Sequence, residues 1–255
     1  MKFIPLVSSS AGNAYLLDDG CSRILIECGV TFKRLQQLCG FSMASIDGCL
    51  ISHEHKDHSH CAAQIIKAGI PTYMSNGTAA ELLEKGSLTG PLVETANEMV
   101  AWEQFQIGSF KVLPFPTFHD CAEPLGFCIQ SAADGDVFAF AIDTVNIPYR
   151  FPGVNILAVE CNYDPKKFYW LDDVIADDDS LDSIKKRQLR KRIKRTINTH
   201  MSIDTLVKCL NRMDLSKCRE IWLMHLSDDN SREYDFIQKV KRTAPKQTIV
   251  RVCPK

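Results

Sequence analysis

The 255-residue chain lacks several features that would assign a sequence to a class at once. It has no Cys-x-x-Cys pair and an odd count of 11 cysteines, which argues against a disulfide scaffold or a cysteine-based zinc finger. Its formal net charge is only -1, which argues against a uniformly basic nucleic-acid-binding protein. No apolar run approaches the roughly 18–20 residues of a membrane-spanning helix, and the N-terminus has no apolar signal-peptide core. We therefore expect free thiols and a cytoplasmic protein without a membrane partner.

Internal repeats and Gly/Ser-rich linkers are also missing, so we expect a single domain over residues 1–255. Short strand patterns predict hairpins at Gly108-Ser109 and at Asp134-Gly135-Asp136. Asn76 and Ser202 are each expected to cap the helix that follows. Strands with interspersed helices predict a layered α/β fold.

Charged residues are unevenly placed in one segment. Residues 172–182 are acid-rich, and residues 185–195 then hold eight Lys or Arg and no acid. A solvated helix would explain part of this pattern, because acids favour a helix N-terminus and bases a C-terminus. Eight cations exceed what the helix dipole requires, so a grip on nucleic-acid phosphates is an equally good interpretation. The candidate nucleic-acid-binding residues are Lys185, Lys186, Arg187, Arg190, Lys191, Arg192, Lys194 and Arg195.

The strongest feature is a cluster of metal-capable side chains, His53-Glu54-His55-Lys56-Asp57-His58, directly after a predicted strand. In extended backbone, residues two apart point the same way, so His53 and His55 can share one metal. Asp57 and His58 fall in the predicted first turn of a helix and can face a second metal. The chain contains only seven histidines, so coincidental clustering in a polar loop is a poor explanation. Imidazole and carboxylate together suit Zn²⁺, Mn²⁺ or Fe²⁺.

Three further candidate ligands, His119, Asp143 and His225, each follow the end of an apolar strand pattern. Sites in α/β folds are built at the carboxyl ends of strands. Alone, each of these residues would more often be structural. Together with the cluster they can complete a two-metal site.

In order along the chain, this set resembles that of the metallo-β-lactamase-fold hydrolases. The segments 8–16 and 25–29 resemble the family's first strands, although Glu27-Cys28-Gly29 replaces the usual Asp-x-Gly. That replacement is not expected to affect the metals. The segments 119–127 and 225–230 resemble the YycJ/WalJ-type exonuclease subfamily. The resemblance implies a four-layer αββα metallo-β-lactamase sandwich with a dimetal site at one edge and a 5′-to-3′ DNA exonuclease activity.

The resemblance also implies a role for each site residue. The first metal would be held by His53, His55 and His119, the second by Asp57, His58 and His225, and Asp143 would bridge them. The expected cofactors are two divalent metal ions, with Zn or Mn favoured. The candidate catalytic residues are Asp57, Glu160 and His200. Glu160 and His200 resemble the Glu and His motifs of ribonuclease Z and its relatives, where the His acts near the leaving group. His60 is not expected to bind a metal, and it should either face solvent or support the ligands from behind.

The expected function is therefore a dimetal-dependent phosphodiesterase in which a metal-bridging hydroxide attacks the phosphodiester. DNA is the favoured partner, and the sequence leaves protein partners open. One alternative is another enzyme class on the same fold, either ribonuclease Z-like RNA processing or hydrolysis of a small ester, thioester or lactam. A non-catalytic nucleic-acid-binding module is a third interpretation, but it would be expected to have a broken ligand set.

Overall fold

The computed structural model describes residues 1–168 and 183–255. Two mixed sheets pack face to face, and helices cover the outer face of each sheet. The predicted αββα arrangement is confirmed. The acid-rich segment 172–182 lies outside the described residues. All eleven cysteines are free thiols, as expected.

The first sheet has six strands in the order β1-β2-β3-β4-β5-β6. They are β1 (Lys2–Ser9), β2 (Gly12–Asp18), β3 (Arg23–Ile26), β4 (Gly48–Leu50), β5 (Thr72–Met74) and β6 (Asn97–Glu98). The strands β1, β2 and β3 pair antiparallel, whereas β3 to β6 pair in parallel. Parallel pairing makes the carboxyl ends of β3 and β4 meet at one edge of the sheet.

The second sheet has seven strands in the order β13-β12-β11-β10-β9-β8-β7. They are β7 (Phe105–Ile107), β8 (Phe110–Pro116), β9 (Leu125–Ser131), β10 (Val137–Ala141), β11 (Ile156–Glu160), β12 (Glu220–Met224) and β13 (Ile249–Val252). Both predicted hairpins are confirmed, because β7 pairs antiparallel with β8 and β9 with β10. The strands β10 to β13 run in parallel.

Eight helices are described. They are α1 (Phe32–Leu38), α2 (Lys56–Ser59), α3 (Ala62–Lys67), α4 (Asn76–Glu84), α5 (Gly90–Thr95), α6 (Ser183–Thr199), α7 (Ile203–Leu210) and α8 (Glu233–Lys241), with a 3-10 turn at Met43–Ser45. Ser202 caps α7 as predicted, since its side chain accepts from the N–H of Thr205. The prediction for α4 was wrong by one residue. Ser75 is the cap and accepts from the N–H of Thr78, so Asn76 already lies in the helix.

Strand β11 shows how the layers place polar residues at one edge. Leu157 and Val159 belong to the core under α7 and α8, whereas Ile156 and Ala158 belong to the core between the sheets. Successive side chains of a strand alternate between its faces, so Glu160 faces the space between the sheets. Because Glu160 ends the strand, its carboxylate lies at the edge of that space.

Candidate dimetal site

The predicted metal-capable residues meet at the edge where the parallel strands of both sheets end. The cluster of residues 53–58 follows β4, His119 follows β8, Asp143 follows β10 and His225 follows β12. Asp143 (φ 43°) and His225 (φ 53°) both have left-handed backbone, which is rare for residues other than glycine. Such conformations cost free energy and recur at functional sites. Here each turns the chain sharply at a strand end, toward the space between the sheets.

Three imidazole nitrogens form the first group of ligand atoms. Nδ1 of His55 lies 3.1 Å from Nε2 of His53 and 3.2 Å from Nε2 of His119. Oδ2 of Asp143 lies 3.7 Å from the first of these Nε2 atoms and 3.6 Å from the second. These four residues form one group in which all ligand atoms lie within 4.8 Å of one another.

This first group fits a tetrahedral metal. Metal–nitrogen bonds of roughly 2.0–2.1 Å place tetrahedral ligand atoms about 3.3 Å apart, close to the spacing observed. The proton positions agree, because Nδ1 of His119 donates to the backbone carbonyl of Thr199 at 2.8 Å, which leaves Nε2 of a neutral ring free to bind. Burial, and then the charge of His58, lowers the pKa of His53, which favours the neutral ligand form.

Asp143 lies between the two halves of the site, and its side chain is buried. Oδ2 is 3.2 Å from Nε2 of His58, while Oδ1 is 2.7 Å from Nδ1 of His225. The contact of Oδ1 does not have hydrogen-bond geometry, so this buried oxygen has no hydrogen-bond partner within the described part of the chain. An unpaired buried carboxylate oxygen among histidines fits a bridging metal ligand.

The residues of the second predicted ligand set lie on two sides of Asp143. On one side, Oδ2 of Asp57 is 3.4 Å from Nε2 of His58. On the other side, His225 groups with Glu160 and His200, and its ring centroid is 6.2 Å from that of His58. Nε2 of His225 is buried without a hydrogen-bond partner among the described residues. Burial lowers the pKa of His225, but the carboxylates of Asp143 and Glu160 outweigh burial and raise it to about 10.

The buried Glu160 and the partly buried His200 form a pair beside this second group. Nδ1 of His200 donates to Oε1 of Glu160 at 2.6 Å. Oε2 accepts from the backbone N–H groups of Thr144 (2.8 Å) and Met201 (3.2 Å), which fixes the carboxylate. Burial lowers the pKa of His200, but the charge of Glu160 outweighs burial and raises it. The pair therefore favours the imidazolium form of His200 at the edge of the site, as proximity of a carboxylate to a histidine predicts.

The sequence reasoning missed two residues that support the ligands from behind, Glu27 and Ser52, whereas the resemblance had implied a supporting role for Asn13. Oε2 of the buried Glu27 lies 3.5 Å from Nδ1 of His58, and Oγ of Ser52 lies 2.8 Å from Nδ1 of His53. Nδ2 of Asn13 lies 3.2 Å from Nε2 of His58. The replacement at position 27 was expected to leave the metals unaffected. Glu27 belongs to none of the ligand groups among the described residues, but its carboxylate contacts a proposed ligand.

The eight candidate nucleic-acid-binding cations all lie on α6, and this helix ends at the site. His200 directly follows α6, and Thr199 is the residue that accepts from His119. Arg195 lines a cavity of about 340 Å³ together with Asp57, Asp143, His200 and others. His60 is exposed, as predicted.

Comparison with known proteins agrees with this geometry. A family profile described as "Beta-lactamase superfamily domain" matches residues 22–226. The chain belongs to this superfamily. Together with the His/Asp groups of the site, membership makes the protein a metal-dependent hydrolase of the metallo-β-lactamase fold, a fold that typically binds two metal ions.

Similar proteins are named as exonucleases. The chain is 22% identical over 244 residues to "Exodeoxyribonuclease WalJ" of Streptococcus pneumoniae, which covers 90% of this chain and 83% of that protein. It is also 22% identical over 244 residues to "Exodeoxyribonuclease YycJ" of Bacillus anthracis, covering 86% and 89%.

Solved structures show the same fold. The metallo-β-lactamase fold protein YhfI from Bacillus subtilis aligns with a TM-score of 0.67 and 16% identity over 99% of this chain and 95% of that one. A diphosphatase from the PhnP family aligns with a TM-score of 0.64 and 16% identity over 99% and 94%. Over residues 1–168 and 183–255, no helix is long and apolar enough to cross a membrane.

Proposed function

We propose that this hydrolase is a dimetal phosphodiesterase that degrades DNA as a 5′-to-3′ exonuclease. The proposal rests on the position of α6. This helix holds the eight cations and ends directly before His200, beside the His/Asp groups of the site. Both 22%-identical relatives named above as exodeoxyribonucleases align over most of their length, which supports the same assignment.

The first proposed ligand set lies within one group of neighbouring atoms, whereas the second lies on two sides of Asp143. One metal would be held by His53, His55 and His119, the second would be contacted by Asp57, His58 and His225, and Asp143 would bridge them. Metals bound there would supply a nucleophile at neutral pH and neutralise charge on the reacting phosphate. Imidazole and carboxylate donors favour Zn²⁺ or Mn²⁺.

The remaining step is protonation of the leaving group, which side chains of this protein would perform. Hydrolysis of a phosphodiester expels an alkoxide, which needs a proton. His200 is 15% exposed in its side chain, lines the cavity and contacts the buried Glu160, whose charge raises the pKa of His200. It is therefore placed to donate that proton, with Glu160 fixing its orientation through the bond at Nδ1.

The test is end-resolved degradation of DNA by protein of known metal content. Linear duplexes and single strands labelled at the 5′ or the 3′ end are incubated with protein loaded with Zn²⁺ or Mn²⁺. We expect loss from the 5′ end and up to two metals per chain. Intact DNA alongside rapid turnover of a thioester or lactam would reject the proposal.

Variants assign the activity to this site. Asp143→Asn keeps the shape of the side chain but removes the proposed bridging charge, and we expect it to lose metal and activity. His60→Ala is the matched control, since it removes an exposed histidine two residues beyond the cluster and should leave both unchanged. RNA of the same sequence serves as the comparison for a ribonuclease Z-like alternative.

A further inference from the structure

One cation of α6 differs from the rest in what it faces. Arg195 lines both the cavity of about 340 Å³ at the metal cluster and an adjoining cavity of about 260 Å³ beyond His200, whereas Arg192 lines only the second of these two. Lys56 is the other Lys or Arg that lines the first cavity. A general grip on a DNA backbone would not require a guanidinium inside the cavity where the reacting phosphate binds.

Arg195 is held at this cavity by Asp120. Its Nε donates to Oδ2 of Asp120 at 2.9 Å, and its Nη2 lies 3.4 Å from Oδ1. Asp120 directly follows the proposed ligand His119, and its Oδ1 lies 3.3 Å from Nε2 of that histidine. The ion pair therefore fixes the guanidinium beside the first group of ligand atoms.

The ion pair between Arg195 and Asp120 can be broken by a competing anion. The side chains of Arg195 and Asp120 are 62% and 40% exposed, and ion pairs exposed to solvent to this degree are weak. A phosphodiester presents two oxygens in the same fork geometry as a carboxylate, so it can take the place of Asp120 without movement of the helix. An anionic substrate also needs positive charge near the carboxylates of Asp57 and Asp143, which line the same cavity.

We infer that Arg195 binds the reacting phosphodiester, and that Asp120 holds the guanidinium over the cavity until the substrate phosphate displaces it. The inference rests on the proposed phosphodiesterase function and narrows it. Arg195 is then a substrate-binding catalytic residue, distinct from the backbone-gripping cations earlier on α6. Asp120 is a positioning residue that competes with the substrate.

A small substrate can separate binding of the reacting phosphodiester from binding of the rest of the DNA backbone. Bis(4-nitrophenyl) phosphate offers one phosphodiester and is too short to reach along α6. We expect Arg195→Ala to lose on the order of 100-fold in kcat/KM on it, as for other residues that stabilise developing charge. Lys208→Ala removes an exposed cation of α7 that lies outside the candidate nucleic-acid-binding set, and it should leave this substrate unaffected. Equal losses in the two variants would overturn the inference.

A binding measurement tests the role of Arg195 even if a variant does not hydrolyse the small substrate for a reason unrelated to phosphate binding. Calorimetry with inorganic phosphate on metal-loaded protein should show weaker binding for Arg195→Ala and tighter binding for Asp120→Asn, because the second change removes the competitor. A purely structural tie between α6 and residue 120 would instead make both variants change alike, which would refute the inference. Metal content and thermal melting are measured for each variant. If the wild-type protein binds phosphate through Arg195 but spares DNA, the proposed function fails while the role of Arg195 stands.

Discussion

The pair of Glu160 and His200 allows a prediction that tests site and fold together. Oε2 of Glu160 accepts from two backbone N–H groups, which can only donate. Oε1 lies 2.6 Å from Nδ1 of His200 and 3.2 Å from Nδ1 of His225. A glutamine at this position must therefore keep its oxygen at the two N–H groups and turn its NH₂ toward these two Nδ1 atoms. In Glu160→Gln the charge-assisted hydrogen bond from His200 is lost, and Nδ1 of His200 faces the NH₂ group of the glutamine.

The expected cost follows from that exchange. A hydrogen bond to a charged group contributes roughly 1.5–3 kcal/mol, and removal of a buried charge offsets part of the loss, so we expect about 2 kcal/mol of destabilisation. Activity on DNA should fall on the order of 100-fold, because the alkoxide leaving group needs a proton and His200 is no longer held as a protonated acid. Bis(4-nitrophenyl) phosphate should lose less, because its nitrophenolate leaves without a proton. The matched control is Glu220→Gln on β12, where the carboxylate accepts one bond from Nε1 of Trp222 at 2.9 Å.

Three measurements check the reasoning. Urea unfolding gives the free-energy change, steady-state kinetics gives the activity, and ¹⁵N shifts of the His200 ring report which nitrogen carries the proton. We expect the proton on Nδ1 in the wild-type protein and its loss from Nδ1 in the variant. Wild-type stability and activity in Glu160→Gln, or the same small effect as in Glu220→Gln, would refute this account of the pair.

Further predictions concern stability. Burial raises the pKa of Asp19, but hydrogen bonds from Ser109 and backbone N–H groups outweigh burial and lower it to about 2. Asp19→Asn should therefore cost about 1 kcal/mol at neutral pH after allowance for solvent screening, and the cost should vanish as pH falls from about 4 through 2 in urea titrations. Leu206→Ala, in the core under α7, should cost about 2–5 kcal/mol in urea unfolding, whereas Leu83→Ala on exposed surface should cost little. Chelation should lower the Tm of metal-loaded protein, because the ligands bind metal only when folded; an unchanged melting curve would contradict the ligand assignment.

Much of the architecture could be predicted from local patterns. The hairpin at Asp134-Gly135-Asp136 and the helix capped by Ser202 depend on turn and capping chemistry within a few residues, and both predictions are confirmed. The α4 start was misjudged because Ser75 and Asn76 are adjacent residues that can both cap, and only the backbone decides between them. The short strand β6 was missed, since it is two exposed residues stabilised by pairing with β5.

The candidate ligands could be chosen from the sequence because metal-capable residues at strand ends are chemically distinctive. The residues that support these ligands could not be identified from the sequence in the same way. Nothing in the sequence indicates that Glu27 lies 3.5 Å from His58, or that the carbonyl of Thr199 accepts from His119. These contacts join residues 31 and 80 positions apart in the chain, and backbone carbonyls have no sequence signature.

The sequence by itself determined the identity and order of the metal-capable side chains, since those depend on residue type and on strand ends. Only the tertiary structure decided how they are grouped, because packing of two sheets sets which strand ends share an edge. It places Asp143 between the two groups and sets His225 with Glu160 and His200 on the side away from His58. It also separates Arg195 from its neighbours on α6, because a helix points successive side chains in different directions and one of them meets the cavity.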